Sequence, residues 1–171
     1  MNTASLEWMP TGHSVSLLPA GKWWDAIKVP RAIALETLDR LRDESGAVME
    51  DPWSDTLYWL VPTGRATAWE MPESSHVTVL GDTAHLVVPG PQCTVGPHWR
   101  VPPGLSNFLT DPEKLHDALA RAAAIVTKQS SAEAYEALVG HYEACSGCAH
   151  GTESCLLGRQ LRQAWVGVRW S

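Results

Sequence analysis

Residues 141–155 read HYEACSGCAHGTESC and hold three of the chain's four cysteines. This crowding constrains the fold more than any other feature, because donors a few positions apart that act together must share one small volume. In the spacing His141-x3-Cys145-x2-Cys148-x6-Cys155, the first two side chains project from one face of a helix. Ser146-Gly147 then makes a tight turn that lets two thiolates converge. Cys155 is expected in the first turn of a following helix, where the helix dipole favours thiolate. Four nitrogen and sulfur donors from two helices and the loop between them suit the tetrahedral preference of zinc. A closed shell leaves no open coordination position, so the expected cofactor is one structural Zn2+ held by His141, Cys145, Cys148 and Cys155. His150 competes for the fourth place. It lies two residues past Cys148 and would close a cramped loop, so Cys155 is preferred.

The remaining sequence has to build a core. With 171 residues, 44% hydrophobic and 19% charged, the chain has apolar material for one domain plus a smaller appendage. Nine tryptophans stand against one phenylalanine, so a few very large side chains are expected to form much of that core. The net charge of −6 is uneven: residues 1–104 carry 7 Lys/Arg against 12 Asp/Glu, and residues 105–171 carry 6 against 7. An acidic body is a poor non-specific binder of phosphates, so a protein partner is favoured. The basic stretch with Arg159, Arg162 and Arg169 allows an auxiliary nucleic-acid contact. Residues 1–10 lack a basic cluster followed by an apolar run, and no stretch approaches a membrane span. A cytoplasmic location with no membrane contact is expected, and in such a reducing compartment clustered cysteines read as metal ligands before disulfides.

Periodicity divides the chain into a lead-in (1–13), an α+β body (14–104) and a helical zinc-binding tail (105–171). Residues 14–18 (SVSLL) and 23–29 (WWDAIKV) read as strands. Pro30 stands where helices accept proline, and Ala34, Leu38 and Leu41 form the apolar stripe of a helix over 30–43. Residues 47–49 and 56–61 flank the turn-rich DPWSD and predict a hairpin. Residues 76–80 and 84–88, joined by Gly81-Asp82, are expected to pair as a meander, and 98–101 forms a last strand. The fold class is therefore α+β, with a small mixed or antiparallel sheet and one long helix, followed by the helical zinc segment. In the tail, Thr110-Asp111-Pro112-Glu113 starts a helix carrying Leu115, Leu119, Ala122 and Val126. Ser130-Ser131 is expected to break and recap it, giving a second helix to about Cys145. A third helix is expected from near Thr152, with Leu157, Leu161 and Trp165 on its apolar face.

Other constellations are weaker. Glu50 and Asp51 sit beside Pro52, in what reads as a solvated turn. His76, His85 and His98 fall near different strands, and Cys93 lies in a Pro/Gly loop with no adjacent base. No serine has a nucleophile-elbow setting, and no glycine-rich phosphate loop appears. Trp23, Trp53 and Trp69 flank turns or loops and are the tryptophans expected to meet a partner.

Two runs carry a resemblance. Residues 77–104 (VTVLGDTAHLVVPGPQCTVGPHWRVPPG) resemble the C-terminal part of bifunctional primase–polymerase domains, in which strand–turn–strand leads through a proline loop to a Trp-containing strand. Residues 23–38 (WWDAIKVPRAIALETL) look like the strand and helix that open the degenerate versions found in actinobacteria and their mobile elements. With the strand at 57–61, the similarity spans roughly 14–104. It implies a primase-like fold and a link to DNA replication, regulation or mobile-element biology. The family's polymerase chemistry needs an Asp-x-Asp/Glu pair on a strand to hold two metal ions, plus a downstream histidine. Glu50-Asp51 is adjacent, so its carboxylates would point to opposite faces of a strand. The His-x3-Cys-x2-Cys core is also similar to the motif of zinc-binding anti-sigma factors.

These readings make the leading expectation a non-enzymatic, zinc-stabilised binding or regulatory protein. The other class is a small metal-dependent enzyme acting on nucleotides or nucleic acid through Glu50, Asp51 and a strand histidine.

Overall fold

Pro30 closes a strand and opens a helix in one step. Its backbone is extended (φ −56°, ψ 142°), and the next residue, Arg31, starts α1 (Arg31–Leu41) with its N–H donated to Asp55 O at 2.9 Å. Proline suits this junction because its own missing N–H would have had no helical partner. The computed structural model describes residues 6–104, 107–149 and 155–169. Before α1 lie β1 (Val15–Pro19) and β2 (Asp25–Pro30). After it come a short 3-10 turn (Arg42–Glu44), β3 (Val48–Asp51), β4 (Thr56–Val61), a 3-10 turn (Glu73–Ser75), β5 (Thr78–Leu80), β6 (His85–Pro89) and β7 (His98–Val101). The helices that follow are α2 (Pro112–Ala144), the four-residue α3 (Ser146–Ala149) and α4 (Leu156–Arg169). The architecture is α+β with antiparallel sheets, as the sequence predicts.

Five strands form one sheet in the order β5-β2-β4-β3-β7, and β1 pairs with β6 in a separate two-stranded sheet. The expected β5–β6 meander is therefore not formed. The Gly81–Ala84 turn docks on the turn after β1, with Ala20 N–H donated to Ala84 O at 2.9 Å. A Cβ at Gly21, whose φ is +84°, would meet Asp82 Oδ1 at 2.1 Å, so only glycine lets the two turns approach this closely. The Ala20–Ala84 bond continues the β1–β6 ladder past Pro19 and His85, while β5 pairs with β2.

One face of the five-stranded sheet contributes Ala26, Met49 and Leu60 to a core shared with Leu86 and Val88 of β6. Trp8 and Trp24 fill it, their rings 5.9 Å apart at a steep angle. Trp8 is 7% exposed, so the lead-in already contributes to the core. Residues 1–5 of that lead-in lie outside the described residues. On β1 and β6 the alternation leaves Val15, Leu17 and Val87 exposed. Helix α1 lies against β2 and β4. It buries Ile33, Ala34, Thr37 and Leu41, while Leu38 is only half-buried. Thr37 replaces it on the inner face because its hydroxyl is satisfied within the helix, donating to Ile33 O at 2.7 Å.

The contacts divide the chain into two compact units, Met1–Ala122 and Ala123–Ser171. The division falls inside α2, beyond position 104, because residues after 104 bond to the sheet. Ala47 N–H donates to Phe108 O at 2.9 Å, Thr110 N–H to Leu60 O at 2.8 Å, and Gly46 N–H to Thr110 Oγ1 at 3.0 Å. Asp111 caps α2, with Oδ1 accepting from the N–H groups of Glu113 and Lys114. Leu115, Ala118, Leu119 and Ala122 are buried.

The expected break at Ser130-Ser131 is absent, and α2 runs unbroken for 33 residues. Serine in a helix interior costs only about half a kcal/mol relative to alanine, and neither residue removes a backbone donor. In the second unit, Tyr135 and Trp165 bring their rings to 5.8 Å, and Leu138 is buried. The expected helix start near Thr152 lies outside the described residues. Within α4, Leu157 is 52% exposed and so leaves the expected apolar stripe, while Leu161 and Trp165 are half-buried.

Candidate metal centre

Three short elements converge on one point in the second unit. His141 is in the last turn of α2, and Cys145 follows that helix with its N–H still donated to His141 O at 2.9 Å. Cys148 lies in α3, its N–H donated to Cys145 O at 3.0 Å. Cys155 immediately precedes α4. It was expected in the first turn of that helix. It occupies the N-cap instead, where its Sγ accepts the Gly158 N–H at 3.3 Å. Arg159 N–H closes the first full helical turn onto Cys155 O at 3.0 Å.

The ligating atoms of His141, Cys145, Cys148 and Cys155 all lie within 4.8 Å of one another, the one such grouping among the described residues. Individual separations are shorter. His141 Nε2 is 3.2 Å from Cys155 Sγ and 3.4 Å from Cys148 Sγ. Cys155 Sγ lies 3.7 Å from Cys148 Sγ and 4.0 Å from Cys145 Sγ. Tetrahedral bonds of about 2.3 Å to sulfur and 2.0 Å to nitrogen put ligand atoms roughly 3.5–3.8 Å apart. These four separations lie within a few tenths of an ångström of that edge length, and the cluster could hold a metal ion. A disulfide would bring two sulfurs to about 2.0 Å, far closer than any pair here. The competing ligand, His150, lies outside the described residues.

Backbone donors adjust the thiols. Cys155 is lowered from 9.0 to about 7, first by the Gly158 N–H, with burial opposing and contacts from Cys148, His141 and Cys145 adding to the fall. Cys148 also receives an N–H, from Cys155 at 3.4 Å, which pulls its thiol down. Burial and the neighbouring Cys155 and Cys145 thiols outweigh that pull, and the Cys148 thiol is raised. A nearby cation would stabilise both as thiolates.

Gly158 was not singled out by its sequence context. A Cβ there would lie 2.8 Å from Cys148 Sγ and 3.2 Å from His141 Nε2, so α4 packs directly on the donors. The signal in the sequence was its position, three residues after a cysteine at a helix start.

Of the weaker candidates, Glu50 and His98 come together, with His98 Nε2 3.8 Å from Glu50 Oε2, and Glu50, Asp51 and His85 line one shallow cavity. His76 is in a left-handed turn conformation (φ 52°), and His85 is exposed on β6. Cys93 Sγ donates to His13 O at 3.2 Å. Glu50 is not in a solvated turn. It is a β3 residue, 4% exposed, ion-paired with Arg31 and with Arg100 Nη1 at 3.4 Å. It pairs across the sheet with Leu57 and with His98. Asp51 turns away and accepts from Trp53 N–H and Ser54 Oγ in the hairpin turn. Of the three tryptophans expected at a partner surface, Trp53 is 78% exposed, while Trp23 and Trp69 are half-buried.

Among the described residues, no helix is long and apolar enough to cross a membrane. Comparison of the chain with protein-family models, with curated proteins and with solved structures gives no match.

Proposed function

We propose that this chain is a non-enzymatic binding or regulatory protein whose second unit is held together by one structural zinc ion. The supporting observation is the set of four donors, three sulfurs and one nitrogen, all within 4.8 Å of one another. Such a set selects zinc over oxygen-seeking ions and leaves no position for substrate. The ion would tie the end of α2 to α3 and the start of α4, three elements too short of mutual burial to hold one another firmly. A protein partner for the acidic body, a cytoplasmic location and the auxiliary contact through Arg159, Arg162 and Arg169 belong to the same proposal. So does a role in DNA replication, regulation or mobile-element biology, which rests on the primase–polymerase resemblance of residues 14–104 and is therefore an argument by analogy. The metal-dependent enzyme is the weaker reading, because guanidinium groups already occupy both Glu50 oxygens and the hairpin turn engages Asp51.

Metal analysis of protein purified without chelators should find about one zinc per chain. Cys145→Ser, Cys148→Ser or Cys155→Ser should lower that content and melt residues 131–171 before the body. Zinc near zero with undiminished helicity would refute the proposal. A pull-down from native cells, repeated with nuclease, should recover the same partner both times.

A further inference from the structure

Two helices of the second unit carry stripes of opposite charge with the same spacing. On α2, Glu133, Glu136, Gly140 and Glu143 follow one another at steps of three, four and three residues. On α4, Arg159, Arg162, Val166 and Arg169 do the same. At 3.6 residues per turn, each set lies within about 80° of the helix circumference and runs for about 15 Å. α4 holds no acidic residue, and α2 beyond Lys128 holds no Lys or Arg.

Within one chain the two stripes do not meet. Glu133, Glu136, Glu143 and Arg159 are exposed, and among the described residues none of them forms an ion pair. Arg162 donates to Tyr142 Oη and has further N–H groups. The helices run antiparallel: Tyr135 meets Trp165, while His141, further along α2, meets Gly158, early in α4. In that direction Val166 would fall opposite Glu136, and Arg162 opposite Gly140. Set parallel, each acidic position falls opposite a basic one, and Val166, 42% exposed, falls opposite Gly140. A Cβ at Gly140 would meet nothing within 4 Å, so the space there is open although glycine weakens a helix interior.

We propose that the second unit pairs with a second copy of this chain, α2 of each lying parallel to α4 of the other. A twofold axis perpendicular to the hairpin turns an antiparallel neighbour into a parallel one and makes the contact twice. Glu133 then meets Arg159, Glu136 meets Arg162, position 143 falls opposite position 169, and Val166 seats over Gly140. Charge pairs between helices set partner and register in this way. The inference goes beyond the zinc-stabilised reading and uses none of the metal-binding residues. The same arginines serve either the second copy or a nucleic acid, so the two compete.

Sedimentation equilibrium on the full-length, zinc-loaded chain would test it. The chain should dimerise below hundred-micromolar concentration, and more weakly as salt rises. Glu133→Arg with Glu136→Arg, and separately Arg159→Glu with Arg162→Glu, should each weaken the dimer at least tenfold with zinc content unchanged. The first variant carries two basic stripes and the second two acidic ones, so an equimolar mixture should regain the dimer. That recovery also shows that both variants fold. Gly140→Leu, which fills the space for Val166, should weaken the dimer by a similar factor. A chain still monomeric at hundred-micromolar concentration, a dimer unaffected by either charge reversal, or reversed variants that stay monomeric when mixed would overturn the proposal.

Discussion

Gly158 and Cys148 stand so close that a Cβ on the glycine would lie 2.8 Å from the cysteine Sγ. The glycine N–H meanwhile donates to Cys155 Sγ at 3.3 Å, so one residue both clears room for one sulfur and donates to another. Gly158→Ala should keep the N–H and lose the room. Overpacking of this kind costs about 1–3 kcal/mol, equivalent to roughly 5- to 150-fold in zinc affinity. Competition against a chromophoric chelator measures it. Gly140→Ala, with nothing within 4 Å of the added Cβ, should leave the affinity unchanged.

Cys155 should be the most acidic thiol of the cluster's two shifted cysteines. Alkylation mapped by mass spectrometry immediately after a chelator is added, before residues 131–171 melt, should reach Cys155 with a midpoint near pH 7 and Cys148 only at more alkaline pH. The sign for stability follows from the lowered value. The N–H to thiolate contact contributes fully above the ordinary value of 9.0 and is lost as pH falls through about 7. A reversed order of modification would contradict the arrangement around Gly158.

Glu50→Gln keeps the shape of the side chain and removes its charge. Arg31 and Arg100 would lose their shared partner but are exposed enough to recover water. A hydrogen bond to a charged group contributes about 1.5–3 kcal/mol, and the loss here should fall toward the lower end because of that exposure. Denaturant unfolding of the body should move to lower concentration, with zinc content unaltered. No shift would mean that the cluster contributes nothing to folding.

Duplex DNA binding, where detectable, should trace to α4. Arg159 is exposed, Arg162 donates to Tyr142 Oη, and the side chain of Arg169 lies outside the described residues. Three phosphate contacts predict a slope of about −2.7 in log affinity against log salt, from roughly 0.9 per phosphate. Fluorescence anisotropy on a mixed-sequence duplex should show that slope, and replacing all three arginines by alanine should abolish binding. Binding at physiological salt that survives the triple replacement would place the contact elsewhere.

Strand existence was legible where apolar and polar residues alternate between turn residues, and the β3–β4 hairpin follows directly from DPWSD. Strand partnership was not. Nothing local to residues 76–88 distinguishes a meander from two strands entering different sheets, because the partners lie far off: the Gly81–Ala84 turn meets Ala20 and Gly21, about sixty positions earlier. The Ser130-Ser131 reading failed for another reason. Serine caps helices well yet costs little inside them, so the pair signals a break only where the flanking residues also leave the helix.

What the sequence determined alone was the donor set. His141, Cys145 and Cys148 are joined by less than two turns of chain, and helical periodicity with one tight turn suffices to bring them together. Tertiary structure decided what surrounds them and what becomes of the acids and tryptophans. Only the packing of α4 revealed that Gly158 lies against the sulfurs, and only the pairing of β7 with β3 brought Arg100 to Glu50. Trp24 is fully buried and Trp53 78% exposed, although both stand beside turns. The physical difference is range. Short spacings are governed by backbone geometry that each residue carries with it, whereas burial and charge pairing depend on which distant segment arrives at the same place.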